Sequence, residues 1–382
     1  MRHPRAGRWA SRAFRLLNAA AVATVVVFNC SLALGIWRGA ANNLDRFTHF
    51  SSHCNTITMW ILRLGIIAAH ERSFHHLAGQ VERDFVEFIA AEDIPLLRDR
   101  GLRLRLVVRA YLWWGFAGCM WWLLYPVLCF GLTVEGMPYM MAVPYDVSQP
   151  LVFIANLLFC TVATLHVAVM TMVSDSYSVS LMVQLRLQLE ILSKNLVAMA
   201  RGDEETGQEK CIGKGPPTGT SQLQDRIRQN IRHHQAIIRN TELLEKCMGT
   251  TLLAQCLSIG ASVCIQLYQI AMHAQRLADA GKFGCYLFIM LAQLFVYCWF
   301  GDDFITESLK VSTAAYDSVT SLEGCSSSSK RSLLLVMQRA QRPLRITAAG
   351  LFPLSREAFV AVVNMSYSFF AILRNFKDES VI

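Results

Sequence analysis

The sequence predicts an all-α polytopic membrane protein: seven transmembrane helices, N-terminus cytoplasmic and C-terminus extracellular, with helices projecting into the cytoplasm. Three observations lead there. Hydrophobic residues make up 53% of the 382 and charged residues 17%, with a mean hydropathy of +0.34. A soluble domain carries about a quarter charged residues. The apolar residues also fall into blocks of about 20, the length that crosses ~30 Å of hydrocarbon as helix. Finally, lysine and arginine collect in alternate connecting segments.

The first span, Leu16 to Trp37, holds no charge between Arg15 and Arg38. Arg2, Arg5, Arg8, Arg12 and Arg15 ahead of it give it the look of a signal peptide. Its 22 uncharged residues exceed the roughly 7 to 15 of a cleaved signal core, so it reads as a retained signal-anchor helix. The second span, about His49 to Ala69, is interrupted by Arg63, which is expected to snorkel toward the inner surface. The third, about Ala110 to Leu132, is rich in tryptophan, and the fourth covers about Leu151 to Val173. The fifth runs from about Cys247 to Met272, the sixth from about Phe283 to Phe300, and the seventh from about Leu351 to Leu373.

With the N-terminus inside, the four inner segments hold 28 lysines and arginines and the four outer segments 6. That asymmetry sets the orientation. It also accounts for the net charge of +8, because basic inner loops match the anionic inner leaflet. No basic stripe with interleaved aromatics lies on a soluble element, so nucleic-acid binding is excluded.

The longest inner segment, about Ser174 to Lys246, continues the fourth span as an amphipathic helix. Leu181, Leu185, Leu189, Leu192 and Leu196 recur at helical spacing, with Arg186, Glu190 and Lys194 between them. Residues 201–222 are rich in Gly, Pro and charge and read as a flexible loop. The helical pattern resumes from Leu223 through Ile227, Ile231, Ile238, Leu243 and Leu244.

Other chemistries fall away. Gly213-Lys214-Gly215 lacks the Ser or Thr that a phosphate loop places after its lysine, and no strand precedes it. His75-His76 and His233-His234 are neighbours that point apart on a helix, so they read as solvated loop histidines rather than metal ligands. The twelve cysteines lie mostly in spans and form no Cys-x-x-Cys pair, which leaves no disulfide framework. The triplets Asn29-Cys-Ser31 and Asn364-Met-Ser366 fall inside spans, out of reach of glycosylation. No acid, base and nucleophile set is present, so neither an enzyme nor a cofactor is expected.

The C-terminal quarter carries Leu294-Phe-Val-Tyr-Cys-Trp-Phe-Gly-Asp302, then Ser308, Ala314-Ala-Tyr316 and an amphipathic stretch from Leu333 to Pro343. Leu351-Phe-Pro-Leu-Ser355 and Asn364-Met-Ser-Tyr-Ser-Phe-Phe370 follow. In this order the motifs resemble the C-terminal signature of insect odorant receptors. One departure is Val319-Thr320-Ser321, where the family usually has a Trp. The ending Ser366-Tyr367-Ser368 differs from the Thr-Tyr ending of gustatory receptors and of the obligate odorant co-receptor. The resemblance therefore points to an odorant-specific tuning subunit.

What the resemblance implies is a ligand-gated, non-selective cation channel in the plasma membrane of the olfactory sensory neuron dendrite. The chain would form a tetramer with the odorant co-receptor. Residues 1–300 would hold six spans and the odorant pocket, and residues 301–382 a cytoplasmic anchor helix and the pore-lining seventh helix. The ligand would be a small, volatile, apolar or aromatic odorant, in a pocket with few polar groups. The outer halves of the spans offer Phe50, His53 and Ile57; Trp121, Tyr125 and Leu128; Phe153, Ile154 and Leu157; and Tyr286, Leu287 and Met290. Trp121, Tyr125 and Tyr286 stand out because each joins a large apolar face to one hydrogen-bonding group.

Two faces of the last helix compete for the pore. The resemblance implies Val363, Ser366, Phe370, Leu373 and Arg374. Residue chemistry instead picks out Glu357, Ala361, Asn364, Ser368, Ala371 and Asn375, a small and polar stripe at helical spacing. Rival classes are a gustatory-type channel of the same superfamily, a seven-span G-protein-coupled receptor and a transporter. The second conflicts with the charge-derived orientation and lacks an Asn-Pro-x-x-Tyr. The third lacks a repeated half and a proton relay.

Overall fold

The structure is a computed structural model that describes residues 8–39, 44–133, 136–139, 141–209, 218–272, 277–321 and 327–379. Among these residues the chain forms nine α-helices: α1 (Arg8–Gly39), α2 (Leu44–Ala69), α3 (Glu71–Val86), α4 (Ile94–Phe130), α5 (Pro150–Glu209), α6 (Thr218–Met272), α7 (Leu277–Ser321), α8 (Ser327–Ala340) and α9 (Arg356–Glu379). Six helices, α1, α4, α5, α6, α7 and α9, are long and apolar enough to cross a membrane. The seventh expected span is α2, which has 26 residues and so the length to cross. It lowers its own hydropathy with Thr48, Ser52, Asn55 and Thr56, and these residues face the protein.

A seam of polar contacts joins α2 to α6. Asn55 donates to the Ser258 carbonyl and the Ser262 hydroxyl, both at 2.9 Å. Gln266 donates to the Ser52 hydroxyl at 2.5 Å, and Gln269 to the Thr48 hydroxyl at 2.6 Å. Inside hydrocarbon such groups need protein partners, since lipid supplies none. The opposite preference governs the outside, where Trp113, Leu128 and Leu151 are 73%, 79% and 83% exposed. Large apolar side chains at such exposure suit hydrocarbon rather than water.

The expected cytoplasmic extensions are continuous with the spans. α5 is a single 60-residue helix, and Leu181, Leu185, Leu189, Leu192 and Leu196 are all buried. Their stripe packs within the chain, against Ile237 and Leu244 of α6 and Val311 and Ala315 of α7. Helical backbone enters the stretch expected as loop, reaching Glu209 and restarting at Thr218, while 210–217 lie outside the described residues. Arg186 ties α5 to α7 through Asp303 at 2.9 Å and Glu307 at 3.3 Å, and pairs with Glu190 on its own helix. Lys194 reaches back to the buried Asp93, just ahead of α4, at 2.8 Å.

Two expectations about charge are corrected. Arg63 does not snorkel: it is 4% exposed and ion-paired at 2.6 Å with Asp175, a residue 112 positions away that only the packing of α2 on α5 brings near. His233 and His234 are not solvated; they are 1% and 5% exposed. His233 stacks on Phe88 with ring centroids 4.6 Å apart, and its Nε2 lies 3.0 Å from Gln188 Oε1. Burial holds both imidazoles down, to about 4.

The link from α7 to α9 depends on a close approach. α8 lays Leu333 and Val336 into the core, and Ser308 accepts from the Leu344 amide at 2.9 Å. The chain then makes a two-residue antiparallel hairpin, 347–348 with 352–353, turning through Ala349 and Gly350 at φ 52° and 78°. Gly301 of the Tyr-Cys-Trp-Phe-Gly motif lies directly under this segment. A Cβ there would sit 2.7 Å from Leu354 Cβ and closer still to its backbone oxygen, so only glycine fits. Ser355 then caps α9 by accepting from the Ala358 amide at 3.2 Å.

Candidate functional site

Buried apolar side chains divide into two clusters, one running from the projecting helices into the apolar parts of α6, α7 and α9, and one around a cavity. The cavity measures about 140 Å³ and lies between α2, α4, α5 and α7, with Phe28 of α1 and Tyr139 of the α4–α5 connection closing it. An apolar void of about 150 Å³ accepts one benzene ring, so the space suits a single-ring molecule.

Local sequence explains the void. On α4, Tyr111, Gly115, Gly118, Cys119 and Trp122 share the lining face through their three- and four-residue spacing. Two of them are glycines, so the wall is thin where Met172 and Ile289 stand opposite; a Cβ on Gly118 would come within 2.5 Å of Ile289 Cδ1. On α5, Ala163, Thr164, Val167, Ala168, Thr171 and Met172 supply a wall of small and medium side chains.

The far end of the cavity is a box of rings. His53 lies 4.9 Å from Trp122, 4.8 Å from Tyr139 and 5.9 Å from Tyr286, centroid to centroid. Tyr139 also meets Phe28 edge-on at 5.1 Å, and the Lys282 ammonium sits 4.2 Å above the Trp122 ring. Several hydroxyls are paired within the wall: Thr56 with Tyr286 at 2.5 Å and Tyr139 with Thr164 at 2.9 Å.

The opposite end rests on a charged floor. The Asp175 carboxylate accepts from Arg63 at 2.6 Å, Tyr297 at 2.8 Å, Tyr111 at 2.9 Å and Gln293 at 2.5 Å. Tyr111 and Gln293 line the cavity themselves. The floor therefore joins the cavity to four helices through one buried carboxylate.

Of the residues expected at a ligand site, His53, Ile57, Trp121, Tyr286 and Met290 line the cavity. Tyr125 is buried one turn away, 5.3 Å from Trp121. Phe50 and Phe153 are buried outside the lining; Phe50 packs on Gly35 of α1. Leu128 and Ile154 are exposed on the surface, Leu157 is half-buried, and Leu287 packs against the other cluster. Sequence reasoning missed Phe28, Trp122, Tyr139, Thr164 and Lys282. The α4 glycines were the available signal, since small residues on one face mark where a helix leaves room.

On α9, Ser366 is 1% exposed. Its hydroxyl bonds back to the Val362 carbonyl at 2.7 Å and faces Gly260 of α6. Ser366 is thus turned into its own chain. Val363, Phe370 and Leu373 are half-buried, and Arg374 is exposed. In the polar stripe, Glu357, Ala361, Asn364, Ser368 and Asn375 are exposed and Ala371 is half-buried. Arg356 pairs with Asp302 at 3.0 Å and stacks over Trp299 at 4.2 Å, which pins the start of α9 to α7.

Residues 48–367 match the family model described as 7tm odorant receptor. The chain is 24% identical over 316 residues to odorant receptor Or2 of Anopheles gambiae, covering 82% of this chain and 80% of that one. It is 26% identical over 322 residues to odorant receptor 10 of Aedes albopictus, with the same coverage. Among solved structures it is similar to the olfactory receptor OR5 of Machilis hrabei, with TM-score 0.82, 15% identity, and coverage of 98% of this chain and 93% of that one. The same receptor in complex with eugenol gives TM-score 0.84 at 14% identity over the same coverage. The match over most of the chain establishes that this protein belongs to the insect odorant receptor family.

Proposed function

We propose that this chain is an odorant-specific tuning subunit of a ligand-gated cation channel, with the odorant held in the cavity between α2, α4, α5 and α7. The observation that carries the reading is the cavity itself, apolar and ring-walled, of a size for one small ring. That the similar Machilis receptor has been solved with eugenol, a single-ring compound, supports the same ligand class here. Lysine and arginine asymmetry supports an N-terminus inside the cell and a C-terminus outside, in the plasma membrane of the sensory dendrite.

The partner is the odorant co-receptor, in a tetramer whose pore is lined by α9. The polar stripe from Glu357 to Asn375 supports this assembly, because a lipid-facing helix has no use for an exposed Asn364 and Ser368. Odorant binding would shift the population toward an open arrangement through the Asp175 floor, which touches both ligand space and α7. Recording from cells that express this chain, the co-receptor, or both, across a broad odorant panel, tests the proposal. Odorant-evoked cation current is expected from the pair alone; current from this chain by itself refutes the heteromer, and silence of the pair refutes the receptor assignment.

A further inference from the structure

Within the proposed odorant site, on which this inference rests, the polar lining groups differ in whether they have partners. Thr56 donates to the Ser52 carbonyl at 3.2 Å and pairs with Tyr286. Tyr139 is paired with Thr164, and Tyr111 and Gln293 are committed to Asp175. Two buried lining rings have no such partner. The Trp122 indole N–H is buried with no hydrogen-bond partner among the described residues. His53 is 7% exposed, touches the rings of His49, Trp122, Tyr139 and Tyr286, and hydrogen-bonds none of the described residues.

These two groups are adjacent, with ring centroids 4.9 Å apart. Indole can only donate, and neutral imidazole carries one donor and one acceptor. The Lys282 ammonium on the Trp122 face adds positive potential at the same corner. A donor-rich, cation-bearing corner in an otherwise apolar cavity favours the negative end of a ligand dipole.

We infer that His53 and Trp122 form the specificity-determining corner of the cavity, selecting small cyclic odorants that carry a hydrogen-bond-accepting oxygen: a ketone, aldehyde, ester or ether. The rest of the wall reads shape and apolar surface. Hydrocarbons of matching outline would enter but gain nothing at this corner.

Matched odorant pairs test this in cells that express the chain with the co-receptor. Suitable pairs are acetophenone against α-methylstyrene, anisole against ethylbenzene, and cyclohexanone against methylenecyclohexane. In the wild type, the oxygenated member is expected to act at about a tenfold lower half-maximal concentration, equivalent to one net hydrogen bond of about 1.4 kcal/mol. His53→Phe and Trp122→Phe should each shrink the ratio to under about threefold while the hydrocarbon response persists, and His53→Gln, which keeps a donor, should restore part of it.

Equal potency within the wild-type pairs, or activation only by odorants lacking an acceptor oxygen, overturns the inference and leaves the receptor assignment intact. The wild-type ratio decides the matter even if a variant fails to reach the surface. A ratio unchanged in a His53→Phe channel that does reach it also overturns the inference. Silence of the wild-type pair toward every odorant removes the receptor assignment, and this inference with it.

Discussion

Arg63 and Asp175 are ion-paired at 2.6 Å in the interior of the bundle, their side chains 5% and 4% exposed. The pair is held by Tyr111, Gln293 and Tyr297, so the carboxylate satisfies groups from α2, α4 and α7 at once. Removing one partner leaves the other charge buried without compensation, at a cost of about 3–5 kcal/mol. Asp175→Leu should therefore sharply reduce surface expression and the melting temperature of the detergent-solubilised protein. The double variant Arg63→Met/Asp175→Leu should recover most of the loss, and a double variant no better than either single one would show that the charges do more than balance each other.

The α2–α6 seam predicts a smaller effect. Asn55→Leu removes two hydrogen bonds to α6 and should cost about 1–2 kcal/mol. Thermal unfolding in detergent reads it; an unchanged midpoint would mean that the seam is replaced by water or lipid contacts.

Cavity volume should tune ligand size in both directions. Gly118→Val pushes on Ile289 Cδ1, which already lies 2.5 Å from an added Cβ. A loss of about tenfold or more in sensitivity to single-ring odorants is expected, because the lost space must come from the ligand. Ile289→Ala should widen the response to bulkier odorants. Concentration–response curves with the co-receptor check both.

His233 and His234 have pKa values held down to about 4 by burial. Their unfolded value is about 6.5. A lowered folded pKa means that stability is fully present above about 6.5 and declines as pH falls from there toward about 4, by up to about 1.4 kcal/mol per pH unit for each imidazole. The melting temperature should drop between pH 7.5 and 5.5, and less steeply in His233→Gln/His234→Gln; equal slopes would rule out these groups as the source.

Gly301→Ala should disrupt the α7–α9 connection, because its Cβ meets the Leu354 backbone, which cannot rotate aside as a side chain could. Loss of current with α9 detached from its packing is the expected outcome. A fully active Gly301→Ala channel would show that the segment before α9 has slack.

The sequence by itself determined the apolar spans, the all-helical class and the family resemblance, but not α3 (Glu71–Val86). Span length and apolar content are local properties, and so are the motifs around Tyr297, Gly301 and Ser366. The continuation of α5 past the membrane was also legible, since the leucine spacing persists through Leu196. What only the tertiary structure decided was which face of each helix meets which partner. Periodicity defines a face but not its neighbour, so Tyr125 and Leu128, three residues apart on one face of α4, read alike in sequence, yet one is 8% exposed and the other 79%. The same limit hid the Arg63–Asp175 pair and the burial of His233. Each depends on residues more than 40 positions apart, and the proximity that satisfies a buried charge or imidazole exists only once the helices have packed.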